Sequence, residues 1–228
     1  MKTTILTLIL IMASLTNAMA QDDPEFRREI GIGVGMSNYL GDFNGSLTKG
    51  MQPSVSLVYR RLFSPYCGLR FDLGHTQLKG SSADVSTYYP DYAEEPYTFK
   101  RNITDFNVVF EYNFWPYGTG RDYRGAKRLT PYVFAGIGMT FASGNDANSS
   151  TAANVPLGIG VKYKVGQRIN LGLEWGMHFS TSDELDGLKD PYGIKSSGIF
   201  KNTDCYSSLR ATLTYSFSAK CKTCNKYD

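Results

Sequence analysis

The sequence predicts an all-β fold, an eight-stranded antiparallel transmembrane β-barrel of the outer-membrane type. Three observations predict it. An export signal opens the chain. Period-two alternation then recurs along its whole length. The polar face of that alternation is rich in glycine and charge, which suits an enclosed lumen better than a wet surface.

Lys2 supplies a positive start, Ile5 to Leu15 form a short apolar run, and Ala18-Met19-Ala20 fits the small-x-small cleavage rule. Residues 1–20 are therefore expected to be a signal peptide, with Gln21 as the mature start. The run falls short of the roughly 20 apolar residues that a membrane-spanning helix needs. No Cys lies near the cleavage point, so a lipoprotein is not expected. The rest, a barrel over 21–217 and a tail over 218–228, has room for one domain with a sizeable interior. Formal net charge is +3, and +2 once Lys2 is removed; a balance this close to neutral does not point to nucleic acid.

The strands follow in order. Ile30, Ile32, Val34 and Met36 alternate with Gly31, Gly33 and Gly35. Val55, Leu57 and Tyr59 mark a second segment, and Leu69, Phe71 and Leu73 alternate with Arg70, Asp72 and Gly74 in a third. The fourth sets Phe106, Val108, Phe110, Tyr112 and Phe114 against Asp105, Asn107, Glu111 and Asn113. Val133, Ala135, Ile137, Met139 and Phe141 make the fifth, and Val155 to Val165 the sixth. The seventh is cleanest: Ile169, Leu171, Leu173, Trp175, Met177 and Phe179 against Asn170, Gly172, Glu174, Gly176, His178 and Ser180. The last sets Leu209, Ala211, Leu213, Tyr215 and Phe217 against Arg210, Thr212, Thr214 and Ser216.

Alternation says that two faces differ, not which is outside. A soluble barrel places apolar side chains within, a membrane barrel without. Glycine is a poor choice on a solvated strand, yet it crowds the polar face here, beside Arg60, Arg70, Asp72, Glu111, Lys162, Glu174 and Arg210. Those charges fit a narrow lumen in which they pair. Tyr39, Phe63, Tyr66, Phe114, Trp115, Phe141, Tyr163 and Phe217 fall at strand ends, where interfacial girdles are expected. With both termini periplasmic, short inner turns fall near Ser64-Pro65 and Gly166-Gln167. Outer loops fall at Gly41–Gly50, Ser81–Tyr97, Ala142–Thr151 and Thr181–Thr203. One inner link, Pro116–Leu129, is far longer than a turn needs.

That link and the tail carry the candidate partner-binding residues: Tyr117, Arg121, Tyr123, Arg124, Lys127 and Arg128 in the link, and Lys220, Cys221, Lys222 and Cys224 in the tail. Arg offers bidentate contacts to carboxylates and Tyr a low-entropy anchor. The bland alternative is a solvated basic turn touching anionic lipid. Cys221 and Cys224 form a lone Cys-x-x-Cys. A structural metal site wants four ligands, so a disulfide in an oxidising periplasm is the expectation, within the chain or to a partner. Cys67 and Cys205 are placed at opposite barrel ends, too far apart to bond.

No catalytic constellation is legible. His75 and His178 are the two histidines, one on each parity, and no serine can be placed beside either from the sequence. No enzyme, cofactor or metal is expected. The inner charges read as structural, because eight strands leave a lumen filled by side chains. Asn102-Ile103-Thr104 and Asn148-Ser149-Ser150 match the glycosylation pattern by accident.

Three phrases carry a family resemblance. They are Lys127-Arg128-Leu129-Thr130-Pro131-Tyr132-Val133-Phe134-Ala135-Gly136-Ile137-Gly138, Asn154-Val155-Pro156-Leu157-Gly158-Ile159-Gly160-Val161-Lys162-Tyr163-Lys164, and Asn170-Leu171-Gly172-Leu173-Glu174. Together with Asp190-Pro191-Tyr192-Gly193 and the Cys-containing tail, they resemble the PorG family, the outer-membrane component of the type IX secretion system of Bacteroidetes. The resemblance implies a barrel that works with a periplasmic ring made of a lipoprotein and its partner protein. Its implied partners are outer-membrane lipids and those ring proteins. The other expectation is a general surface barrel, structural or binding extracellular ligands through its outer loops. Tyr88, Tyr89, Asp91, Tyr92, Glu94 and Glu95 in the loop Ser81–Tyr97 carry that alternative.

Overall fold

The structure is a computed structural model. It describes residues 24–40, 50–81, 98–120, 125–144, 149–182 and 204–219. Eight strands run in chain order: β1 (Phe26–Leu40), β2 (Gln52–Leu62), β3 (Cys67–Ser81), β4 (Thr98–Asn113), β5 (Leu129–Ser143), β6 (Ser150–Lys164), β7 (Ile169–Ser180) and β8 (Cys205–Ala219). Each pairs antiparallel with its sequence neighbours. β1 closes the ring on β8 from Phe26↔Ala219 to Leu40↔Cys205. All eight expected strands are present, and β8 runs two residues past Phe217. Closure removes the free edge that an open sheet would present to lipid, and the ladder is interrupted locally, between β5 and β6 at Pro156, among the described residues.

Sidedness follows the expected parity. The apolar set of every strand faces out: Ile30, Val34, Leu57, Leu73, Phe106, Ile137, Ile159, Leu173 and Leu213 are all exposed. Glu29, Arg60, Arg70, Asp72, Glu111, Lys162 and Glu174 are buried inside. A surface this apolar is stable only in hydrocarbon, so the barrel is membrane-spanning. Trp175 faces out at 42% exposure and its neighbour Glu174 faces in at 3%. The Trp175 indole donates to Ser207 Oγ at 3.0 Å, which satisfies its one polar atom on the lipid side.

Glycines make the interior possible. A Cβ on Gly158 would come within 2.3 Å of Phe134 Cζ, and one on Gly160 within 2.7 Å of the Tyr132 ring. Both rings occupy the space that the β6 glycines leave bare.

Two features depart from the expected girdles. Tyr39 does not join one; it turns inward and is fully buried. It belongs to an interior apolar cluster at the loop end with Leu78, Phe99, Ile103, Ala142 and Tyr206. There β3 and β4 continue past the apolar belt, pairing out to Ser81↔Thr98, and their polarity inverts. Leu78, Phe99 and Ile103 face in, while Lys100 and Asn102 face out, as in a soluble barrel. The opposite end carries the two chain ends of the barrel and the short turns at Ser64-Pro65 and Gly166-Gln167. Phe63, Phe114, Trp115 and Tyr163 are exposed around it, as an interfacial girdle requires.

Candidate functional site

Two parts of the molecule gather chemistry, the lumen and the turn end. In the lumen, Arg60 reaches Glu111 through Nε at 2.7 Å and also pairs with Glu29. Lys162 pairs with Glu111 and donates to Asn113 at 3.1 Å. Arg70 bridges Glu111 at 3.1 Å and Glu174 at 2.5 Å, while Arg210 holds both Asp72 and Glu174. The Tyr132 hydroxyl donates to Glu174 at 2.5 Å. Below them, Lys164 Nζ donates to Asn170 at 3.0 Å and Ser216 at 3.2 Å. Buried charges are tolerable only when paired and hydrogen-bonded, and here each ion meets more than one partner. The network links residues of opposite walls and makes the lumen a core of paired polar groups.

Toward the loop end, His178 stacks on Tyr206 with ring centroids 4.4 Å apart, and the Tyr206 hydroxyl donates to Asp105 at 3.0 Å. His75 lies on the outer wall, with Nδ1 3.0 Å from Thr104 Oγ1. All seven carboxylates among the described residues are buried, so none stands on that outer face to orient the His75 ring.

The described parts of the long link, residues 116–120 and 125–129, fold together as a cap at the turn end. Phe114 N donates to Pro131 O at 3.0 Å, Gly118 N to Lys127 O at 3.0 Å and Lys127 N to Pro116 O at 2.6 Å, folding the link on itself. Gly120 and Gly125 take φ of 74° and 69°, which glycine alone adopts without strain. Three contacts tie the cap to the barrel rim. Tyr117 N donates to Pro65 O at 3.1 Å, Thr119 N to Glu25 Oε2 at 2.9 Å, and Lys164 N to Arg128 O at 2.9 Å. Burial pushes the Glu25 carboxyl above the usual carboxylate range, against the Thr119 amide and the Lys164 and Arg128 charges, which pull it down.

The cap redistributes the residues expected to bind a partner. Tyr117 is not on a surface; it is 3% exposed and inserts into the lumen. Its ring faces Lys162 and Lys164 at 5.8 and 5.2 Å, so it is a plug side chain rather than a docking anchor. Lys127 and Arg128 are exposed. Lys127 lies 4.8 Å over the Trp115 ring, and Arg128 Nε donates to Thr119 O at 2.6 Å. Arg121, Tyr123 and Arg124 lie outside the described residues, as do Lys220, Cys221, Lys222 and Cys224, the signal segment, and Tyr88 to Glu95 of the outer loop. Cys67 and Cys205 are both free and sit at opposite ends, as expected.

Arg27, Arg28, Arg61 and Arg168 join the two cap cations to make a basic rim that the sequence reading missed. The signal was available: each falls at a strand terminus on the side of the short turns.

A family profile described as "Domain of unknown function (DUF6089)" matches residues 3–226. No curated protein matches. Among solved structures, Neisserial surface protein A is similar with a TM-score of 0.51 and 13% identity, over 83% of this chain and 97% of that one. Ail, the attachment invasion locus protein of Yersinia pestis, matches at TM-score 0.46 and 12% identity, over 85% and 99%. The outer membrane enzyme PagL matches at 0.42 and 18%, over 83% and 99%. At such identities the likeness shows the fold alone, that of small outer-membrane barrels.

Proposed function

We propose, for a chain that belongs to the family described as a domain of unknown function (DUF6089), a non-enzymatic role in protein secretion: an outer-membrane anchor for a periplasmic ring complex of the type IX system. The turn end with the cap faces the periplasm in this reading. The observation that carries it is the contrast between the two parts of the site. The lumen is packed with paired charge and sealed by Tyr117, which argues against a conduit. The described part of the cap is held by hydrogen bonds yet leaves Lys127 and Arg128 exposed, with neither in a salt bridge to a carboxylate among the described residues. Exposed cations on a backbone fixed by hydrogen bonds, as at Lys127 and Arg128, suit a docking site, because little ordering entropy remains to be lost there on binding. The resemblance of the 127–138, 154–164 and 170–174 phrases to the PorG family supplies the identity of the partner ring.

Tyr117 no longer belongs to that surface, so it rests on Arg121, Tyr123, Arg124, Lys127 and Arg128 with the tail. In this reading Cys221 and Cys224 are oxidised, to each other or to a ring protein, which non-reducing peptide mapping tests. Charge reversal of Arg121, Arg124 and Arg128 to Glu should leave the barrel inserted while ring proteins no longer co-purify and cargo secretion falls. Normal secretion and ring retention in that variant would defeat the proposal. One observation favours a second reading. β3 and β4 stay paired beyond the apolar belt, out to Ser81↔Thr98, as a receptor for extracellular ligands would require. Deletion of residues 83–96 abolishes function in that reading and not in the first.

A further inference from the structure

We propose that the outer wall at the turn end, centred on Arg28 and Arg61, binds the phosphate headgroups of anionic phospholipids in the leaflet on that side. The two arginines are direct cross-strand partners on β1 and β2. Both are exposed and share the outward parity of the lipid-facing residues. The next outward pair into the belt is Ile30↔Tyr59, so the Arg28 and Arg61 backbones stand roughly 7 Å along the strands from it, and Phe217 and Leu69 flank the arginines on the neighbouring strands.

Like charges directly opposite each other destabilise a strand pair unless something neutralises them. Nothing described in this chain does so. Glu25, Glu29, Asp72, Asp105, Glu111, Glu174 and Asp204, which are all the acids among the described residues, are buried. The surroundings extend the site rather than relieve it. Arg61 lies 5.8 Å over the Phe63 ring. Arg168, beyond β8, donates to the Tyr215 hydroxyl at 2.9 Å and lies over the Phe26 and Tyr215 rings. Tyr215 is the strand partner of both Ile30 and Ile169, so the three arginines line one continuous edge from β7 through β8 and β1 to β2.

The chemistry of that edge selects its ligand. A guanidinium takes a phosphate by two parallel hydrogen bonds, and two adjacent guanidinium groups share one phosphodiester between them. Acyl chains of the same lipid would then lie on Ile30, Ile32 and Leu57. This continuity with the apolar belt favours a lipid over soluble phosphate. The zwitterionic headgroup of phosphatidylcholine adds a cation where three are already crowded.

The test uses the full mature chain, refolded in detergent and titrated with phosphatidylglycerol or phosphatidylcholine, with retained lipid counted by native mass spectrometry. Wild type should retain phosphatidylglycerol over phosphatidylcholine by roughly thirtyfold, the scale of two surface arginines against an anionic headgroup. Arg28→Gln with Arg61→Gln should bring the two lipids level. Lys79→Gln with Lys100→Gln, an outward cation pair at the other end and far beyond the belt, should leave the preference intact. Soluble glycerol phosphate should not displace the lipid. Heat-modifiable migration of each variant confirms that the barrel has closed. Equal retention of both lipids by wild type, an unchanged preference in the arginine variant, an equal loss in the lysine variant, or displacement by glycerol phosphate would each overturn the proposal.

Discussion

Arg70 on β3 and Glu174 on β7 stand on opposite walls of the barrel, four strands apart in either direction, and their side chains meet at 2.5 Å. The contact spans the full diameter of the lumen and ties the two walls together. It also makes the two residues interdependent: Glu174 is shared with Arg210 and Tyr132, and Arg70 with Glu111 and Asp72.

Glu174→Ala should therefore be among the most destabilising single changes in the lumen. It strips a carboxylate from two buried arginines and a phenol, and breaking a buried pair in this way costs about 3–5 kcal/mol. Reversible denaturant unfolding in lipid vesicles measures it. A change below 1 kcal/mol would mean that water already solvates the network.

The inner glycines should be separable by what blocks them. Gly172→Ala meets Thr212 Oγ1 at 2.4 Å, while its next contact, the Val161 backbone oxygen, is an ordinary 3.7 Å. Its cost should be about 1–3 kcal/mol and largely reversed by Thr212→Ala. At Gly158 the obstacles are the Phe134 ring at 2.3 Å and the Trp175 backbone oxygen at 2.4 Å. Trimming the ring there should rescue Gly158→Ala only in part. Unfolding of the single and double variants checks both statements.

The lipid face predicts a depth-dependent penalty. Leu173 is 57% exposed on the outer wall, between Val161 and Ala211 on the flanking strands. Leu173→Arg should cost about 2–4 kcal/mol near the midplane. Glu174 next to it already carries a charge because it faces the other way. Lipid-phase quenchers should quench Trp175 and leave that quenching unchanged when Glu174 is replaced.

The cap should loosen as pH rises. The Glu25 carboxyl titrates above its unfolded value, so the folded state holds the proton more tightly than the unfolded one. Its contribution is fully present below the unfolded pKa and is lost as pH rises through the raised folded value. Hydrogen exchange at Thr119, corrected for intrinsic rate, should show protection falling over that interval. Glu25→Gln should remove the pH dependence and keep the hydrogen-bond acceptor.

Much of this was legible in the sequence because a strand's period of two is independent of its surroundings. Ile169 to Phe179 could be sorted into faces from residue types alone, and glycine at 158, 160 and 172 on the charged parity marked the inside. The loop end was not legible by that logic. Leu78, Phe99 and Ile103 share the parity of Asp72 and Asp105, so the same alternation continues with its polarity reversed once the strands leave the hydrocarbon. Tyr39 was assigned to a girdle for the same reason: an aromatic at a strand end fits either face until the position of the lipid boundary is known. Tyr117 was hidden differently. A tyrosine in a basic link reads as a surface anchor, and only the fold-back through the Gly118 and Lys127 hydrogen bonds turns it into the lumen.

A scaffold role makes its sharpest demand on which end of the barrel meets the ring. A photo-crosslinking residue placed at Lys127 on the cap, compared with one at Lys100 on the opposite outer wall, measures this in intact cells. Docking through the cap predicts adducts with the ring lipoprotein or its partner from position 127 and none from position 100. Ring adducts from position 100 alone, or from neither position in cells that secrete normally, would contradict it.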